Sequence, residues 1–156
     1  MAALAKPDPD WVDVILDWRW TWLLARFGLT GAYILGGIAK ALDFPAAVAE
    51  QDRFGLHPAW LWAIAAIAIE LIGPLLVISG RYAWFGAGAL GVLTAIATYV
   101  ANDFWNMEGA ARFTALNAFF EHVGLIAGFV MAALIAEHDN RRLHILRWNK
   151  PRQFGD

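Results

Sequence analysis

Apolar residues dominate four long stretches of the chain. Tyr82–Asn102 runs 21 residues without a single charge. Trp20–Ala39 is interrupted only by Arg26, Ala59–Gly80 only by Glu70, and Phe113–Ala136 by Glu121 with His122 beside it. About 20 mostly apolar residues are needed for a helix to cross about 30 Å of hydrocarbon, so the pattern predicts four transmembrane helices. Four such helices in a small soluble bundle would each leave an apolar face in water. Tryptophans mark the boundaries. Trp18, Trp20 and Trp22 open the first span, Trp60 and Trp62 the second, and Trp84 and Trp105 flank the third. Indoles favour the membrane–water interface.

Shorter amphipathic stretches flank these spans. In Asp10–Trp18 the apolar Trp11, Ile15 and Trp18 share one helical face and Asp10, Asp13 and Asp17 the other. Pro45–Phe54 reads as a short helix, with Pro at its first turn and Gly55 past its end. The tail Asn140–Phe154 mixes basic residues with Leu143, Ile145, Leu146, Trp148 and Phe154. It is read either as a topology signal resting at the interface or as a contact for anionic lipid or a partner. The resulting division is an interfacial segment over 1–19, a four-span domain over 20–136 and a basic tail over 137–156. The fold class expected is all-α: an integral membrane four-helix bundle with short interfacial helices at the N-terminus, in the first outer loop and in the tail.

Charge then sets an orientation. Lys6, Arg19, Arg81, Arg141, Arg142, Arg147, Lys150 and Arg152 fall on the side shared by both termini, against Lys40, Arg53 and Arg112 on the other. That asymmetry places both termini in the cytoplasm of a bacterial-type inner membrane. Residues 1–19 lack the uninterrupted apolar core of a cleavable signal peptide. Composition narrows the chemistry further. The chain has 156 residues, 60% of them hydrophobic and 17% charged, with nine Trp, no Cys and a net charge of −2. The absence of Cys rules out disulfides, thiolate zinc and iron–sulfur ligation by this chain. The balance of charge offers no basic surface for nucleic acid. His122 has no second span histidine to share a haem with, and no metal site is expected.

At 100° per residue the polar and small residues of each span fall on one stripe. Span 1 aligns Arg26, Thr30, Tyr33, Gly37 and Lys40; span 2 aligns Ala63, Ala66, Glu70 and Pro74. Span 3 aligns Gly91, Ala95, Thr98 and Asn102; span 4 aligns Asn117, Glu121, Gly124 and Gly128. Small residues let helices approach in lipid, and charges turn inward, so all four stripes are expected at the bundle centre. Arg26 and Glu70 are close enough in depth to form an intramembrane ion pair; a proton relay through Glu70 is the other reading. Nearer the outer surface lie Lys40, Asp103, Trp105, Asn117, Glu121 and His122. Together they form a candidate site for the head group of a quinone or another small polar-headed molecule. Snorkelling side chains in interfacial water would account for the same residues.

In order and spacing these residues resemble the DoxX family of small four-helix membrane proteins. The likeness rests on Arg26, Gly36-Gly37 with Lys40, Phe44-Pro45, Phe54-Gly55, the run Glu70-Leu71-Ile72-Gly73-Pro74-Leu75-Leu76, and Gly80-Arg81. Phe104-Trp105 and Glu121-His122-Val123-Gly124-Leu125-Ile126-Ala127-Gly128 complete it. The last run has Ala127-Gly128 where paired glycines are usual. The resemblance implies a membrane subunit of a quinone-linked redox assembly, with no covalently bound cofactor and with a quinone as the candidate ligand. It also implies other membrane subunits or further copies of the chain as partners beside the bilayer. The alternatives are a structural or assembly subunit without a ligand, and a small proton-coupled transporter built on Glu70 and Pro74.

Overall fold

In the computed structural model, residues 9–148 are described, with side chains described through Arg141. All regular elements among them are helical. They are α1 (Asp10–Asp17), α2 (Arg19–Leu42), α3 (Phe44–Arg53), α4 (Ala59–Ser79), α5 (Ala83–Ala101), a 3-10 turn at Phe104–Asn106, and α6 (Gly109–Trp148). Helices α2, α4, α5 and α6 are each long and apolar enough to cross a membrane. They stand as an antiparallel row in which α4 packs on α2, α5 on α4 and α6 on α5. The face between α2 and α6 stays comparatively open.

Helix ends follow local chemistry. The single residue Trp18, extended at ψ 121°, separates α1 from α2. Asp43 caps α3, its Oδ1 accepting from the Ala46 N–H at 3.1 Å, and Pro45 occupies the first turn where no N–H is needed. Gly80 ends α4 in the left-handed conformation at φ 73°, which only glycine adopts without strain. Pro74 has no N–H to give to the Glu70 carbonyl one turn earlier, yet α4 stays continuous through it. The expected short helices over 10–18 and 45–54 correspond to α1 and α3. The expected tail segment does not separate from the fourth span, because no Gly or Pro intervenes and α6 continues to Trp148. The remainder of that tail, with Lys150, Arg152 and Phe154, and the residues Lys6 and Asp8, lie outside the described residues.

The core sits where α4, α5 and α6 meet. Val77, Ala87, Leu90 and Phe129 are buried together, with Leu29, Tyr33, Ile69 and Leu125 packed against them. Helices α4 and α5 cross at backbone contact. A Cβ on Gly86 would lie 2.6 Å from the Gly73 carbonyl oxygen, and one on Gly73 would lie 2.8 Å from Leu90.

The inward stripes of α2 and α4 match expectation: Thr30 and Gly37, and Ala63, Ala66, Glu70, Gly73 and Pro74, are buried. Those of α5 and α6 match only in part: Thr98 is buried as expected, and Gly128 faces Leu29 of α2. The buried line of α5 is Leu90, Thr94 and Thr98, one residue round from Gly91 and Ala95, and Ala95 is exposed. On α6 it is His122, Leu125 and Phe129 that turn inward, while Asn117, Glu121 and Gly124 are exposed. A glycine facing lipid costs nothing in packing, so small residues alone do not identify the interior face. A Cβ on Gly124 would meet nothing within 4 Å.

Candidate functional site

The most buried charge in the bundle is Glu70, 8% exposed near the middle of α4. Its Oε1 accepts from Lys40 Nζ at 2.8 Å. This corrects the expected Arg26–Glu70 pair. Arg26 instead donates from Nη1 to the Ile78 carbonyl at 3.3 Å, and its guanidinium lies 5.8 Å from the Trp22 ring centre. The reason is register and lean. Arg26 stands level with Gly80, about ten residues or about 15 Å along α4 from Glu70. Side chains tilt toward the N-terminus of their own helix, and α2 and α4 are antiparallel. Lys40 and Glu70 therefore lean toward each other from one turn apart, while Arg26 leans away. Arg26 serves the C-terminus of α4, where exposed carbonyls favour a cation. Arg26→Gln is expected to lower stability by about 1–2 kcal/mol, read as a lower melting temperature in detergent.

The other oxygen, Glu70 Oε2, is buried and has no hydrogen-bond partner among the described residues. Gly36 faces it, and a Cβ there would stand 3.3 Å away. A cavity of about 240 Å³ opens beside the pair in the gap between α2 and α6, lined by Tyr33, Gly36, Lys40, Glu70, Thr94 and His122 among others. Each polar lining group has a fixed role. Thr94 Oγ1 donates to the Leu90 carbonyl at 2.7 Å. Its one proton is thereby used, so the Tyr33 hydroxyl donates to Thr94 at 2.6 Å and keeps its own oxygen as an acceptor. His122 Nδ1 lies 2.7 Å from Thr98 Oγ1 and 3.4 Å from Asn102 Nδ2. An amide nitrogen only donates, so Nδ1 accepts and the ring proton sits on Nε2. Lys40 retains N–H groups beyond the one given to Glu70. The cavity thus offers donors at Lys40 and His122 and acceptors at Tyr33 and Glu70, inside an otherwise apolar wall.

Of the six outer residues expected to converge, Lys40 and His122 line this cavity. The other four do not. Asp103 accepts from Asn106 Nδ2 at 3.2 Å within the turn after α5. Trp105 is 47% exposed and joins Tyr99, Phe104 and Phe119 in an aromatic cluster. Asn117 and Glu121 are exposed on α6. They are displaced because α6 presents its His122 face to α5, about a quarter turn from the Glu121 face. Tyr33 and Thr94 belong to the site without having been expected there. Thr94 precedes Thr98 by one helical turn, and that hydroxyl repeat is the sequence signal for the inward face of α5.

Among the described residues, no three His, Asp or Glu side chains group as a metal site. Neither the characterised proteins nor the solved structures compared with the chain include a match. The DoxX family profile matches residues 21–103, more than half of the chain. The matched region takes in Tyr33, Lys40, Glu70, Thr94, Thr98 and Asn102, and it ends before His122. With four helices able to cross a membrane, a part-buried Lys40–Glu70 pair between the first two of them and this match, the chain belongs to the DoxX family of integral membrane proteins.

Proposed function

We propose that this protein is the membrane subunit of a quinone-linked redox assembly and that its cavity between α2 and α6 receives the quinone head group. In this reading it lies in a bacterial-type inner membrane with both termini in the cytoplasm, as the Lys and Arg asymmetry favours. The observation that carries the proposal is a buried carboxylate with one oxygen unpartnered, on a residue that lines a cavity opening between two membrane helices. Buried polar atoms are nearly always satisfied, so Glu70 Oε2 calls for a ligand group or water. At about 240 Å³ the cavity is smaller than sites that enclose a whole drug-sized ligand. It has room for one ring, with an isoprenoid tail left in lipid.

The residues fit that head group by their polarity. Lys40 Nζ and His122 Nε2 are donors for quinone carbonyl oxygens, and Glu70 and Tyr33 are acceptors for quinol hydroxyls. A bound quinone would supply two-electron, two-proton chemistry. Lys40 holds Glu70 in place, and Thr98 and Asn102 hold the His122 ring in one tautomer. In this reading the electrons come from a redox centre on a partner subunit; with no Cys, this chain holds no iron–sulfur cluster of its own. The exposed polar face of α6 at Asn117 and Glu121, the apolar groove between α5 and α6, and anionic lipid at the basic tail are the contacts assigned to such an assembly.

Copurified quinone, extracted from protein isolated in mild detergent and measured by mass spectrometry, tests the proposal. His122→Phe and Tyr33→Phe are expected to lower occupancy by about tenfold and severalfold, corresponding to the loss of one or two buried hydrogen bonds. Glu121→Gln is expected to leave occupancy unchanged. Equal occupancy in all of these proteins, or none in the wild type isolated from quinone-containing membranes, overturns the assignment.

A further inference from the structure

Glu70 and Lys40 line a second cavity on the opposite side of their ion pair. It is narrow, about 70 Å³, and lies beneath α3, between that helix and α4 and α5. Its wall includes Glu50, Gln51, Phe54, Trp62 and Ala66. Gln51 is only 7% exposed, an amide turned inward one turn after Ala47 on the buried face of α3. Glu50 is half-buried, so it meets both the cavity and the medium. A water occupies about 30 Å³ and needs two to four polar partners. The volume therefore suits about two waters, and Glu50, Gln51, Lys40 and Glu70 supply the partners.

We infer that this second cavity is a proton path joining Glu70 to the aqueous phase on the α3 side, with Glu50 as its outermost carrier. The geometry sets Glu70 at the junction of two spaces, one opening between membrane helices and one leading under α3. Lys40 and Tyr33 from α2, Glu50 from α3 and His122 from α6 are the ionisable groups that surround it. Helix α5 contributes only the Thr94 hydroxyl and apolar side chains. Protonated Glu70 releases its proton toward the larger cavity. The resulting carboxylate regains one through the waters from Glu50, and Glu50 regains one from outside. The proton passes to a basic oxygen of whatever ligand occupies the larger cavity, so each cycle moves one proton from the α3 side to that ligand and transfers no electron or other group. That the proton serves a quinone rests on the function proposed above; the path itself does not.

The test uses the full chain in quinone-free vesicles with the α3 side facing outward. A lipophilic carbodiimide adds to protonated carboxyl groups and leaves a stable acylurea, and the adduct on Glu70 is counted by peptide mass spectrometry, with Glu70→Gln as the blank. Lowering the external pH by one unit is expected to raise the Glu70 labelling rate severalfold, and lowering the internal pH is expected to leave it unchanged. Ala66→Leu, which fills the small cavity without touching the larger one, is expected to reduce the response to external pH at least severalfold. Labelling that follows the internal pH, both sides equally or neither side overturns the inference, as does an undiminished response in a folded Ala66→Leu protein. Because no quinone is present, loss of quinone retention in the earlier assay leaves this result standing, and the reverse also holds.

Discussion

Replacing Lys40 with methionine is expected to destabilise the bundle by about 3–5 kcal/mol, the usual effect of stranding a buried charge. Lys40 Nζ is the only hydrogen-bond donor that reaches Glu70 among the described residues, and Oε2 already has none. Without it, a carboxylate on a mostly buried residue has neither a counter-charge nor a hydrogen bond. Glu70→Gln leaves a neutral amide and a Lys40 able to extend toward the α3 end, so its effect is expected to be smaller. The double variant Lys40→Met with Glu70→Gln removes the stranded charge and is expected to recover most of the loss. Thermal unfolding in detergent measures all three, with a fall of about 10 °C or more for the single methionine variant. Equal melting temperatures for Lys40→Met and the double variant would show that the pair carries no coupling energy.

The second large effect belongs to Gly86, where α5 crosses α4. A methyl group there meets the Gly73 carbonyl oxygen at 2.6 Å and the Leu76 Cβ at 2.8 Å. Neither is the mobile end of a side chain, so the helices must separate. Gly86→Ala is expected to cost about 3 kcal/mol, the upper part of the range for overpacking, and Gly86→Leu is expected to prevent assembly of the bundle. Gly88, two residues along the same helix, is the control. A Cβ there meets nothing within 4 Å, so Gly88→Ala is expected to be neutral or to stabilise by up to about 1 kcal/mol through helix propensity. Similar losses at both positions would refute the close crossing.

Both effects depend on which residues face inward, and the sequence reveals that unevenly. Thr30, Gly37, Ala66 and Glu70 announce the inner faces of α2 and α4 because each stripe includes an ionisable residue too costly to turn toward lipid. On α5 no charge marks a face, and the glycines point partly outward. On α6 the charge at Glu121 misleads. It lies near the end of the span, level with the Tyr99–Trp105 cluster, where an exposed carboxylate is tolerated. The inward histidine is its immediate neighbour, a rotation of about 100° away. Depth within a single helix does not fix the ion pair for a related reason: Arg26 stands about 15 Å along α4 from Glu70, whereas Lys40 is one turn away and leans toward it.

Hydropathy, tryptophan placement and Gly/Pro punctuation were enough to determine four membrane helices, two short flanking helices and the family resemblance, because these depend on spacing along one chain and on lipid as the solvent. Which lysine or arginine meets Glu70, which face of α6 meets α5, and the two cavities on either side of one carboxylate were decided only by tertiary structure. Those features depend on the relative register and rotation of separate helices. In lipid, small residues permit several registers at similar packing energy, and the choice is made by contacts that no single helix contains.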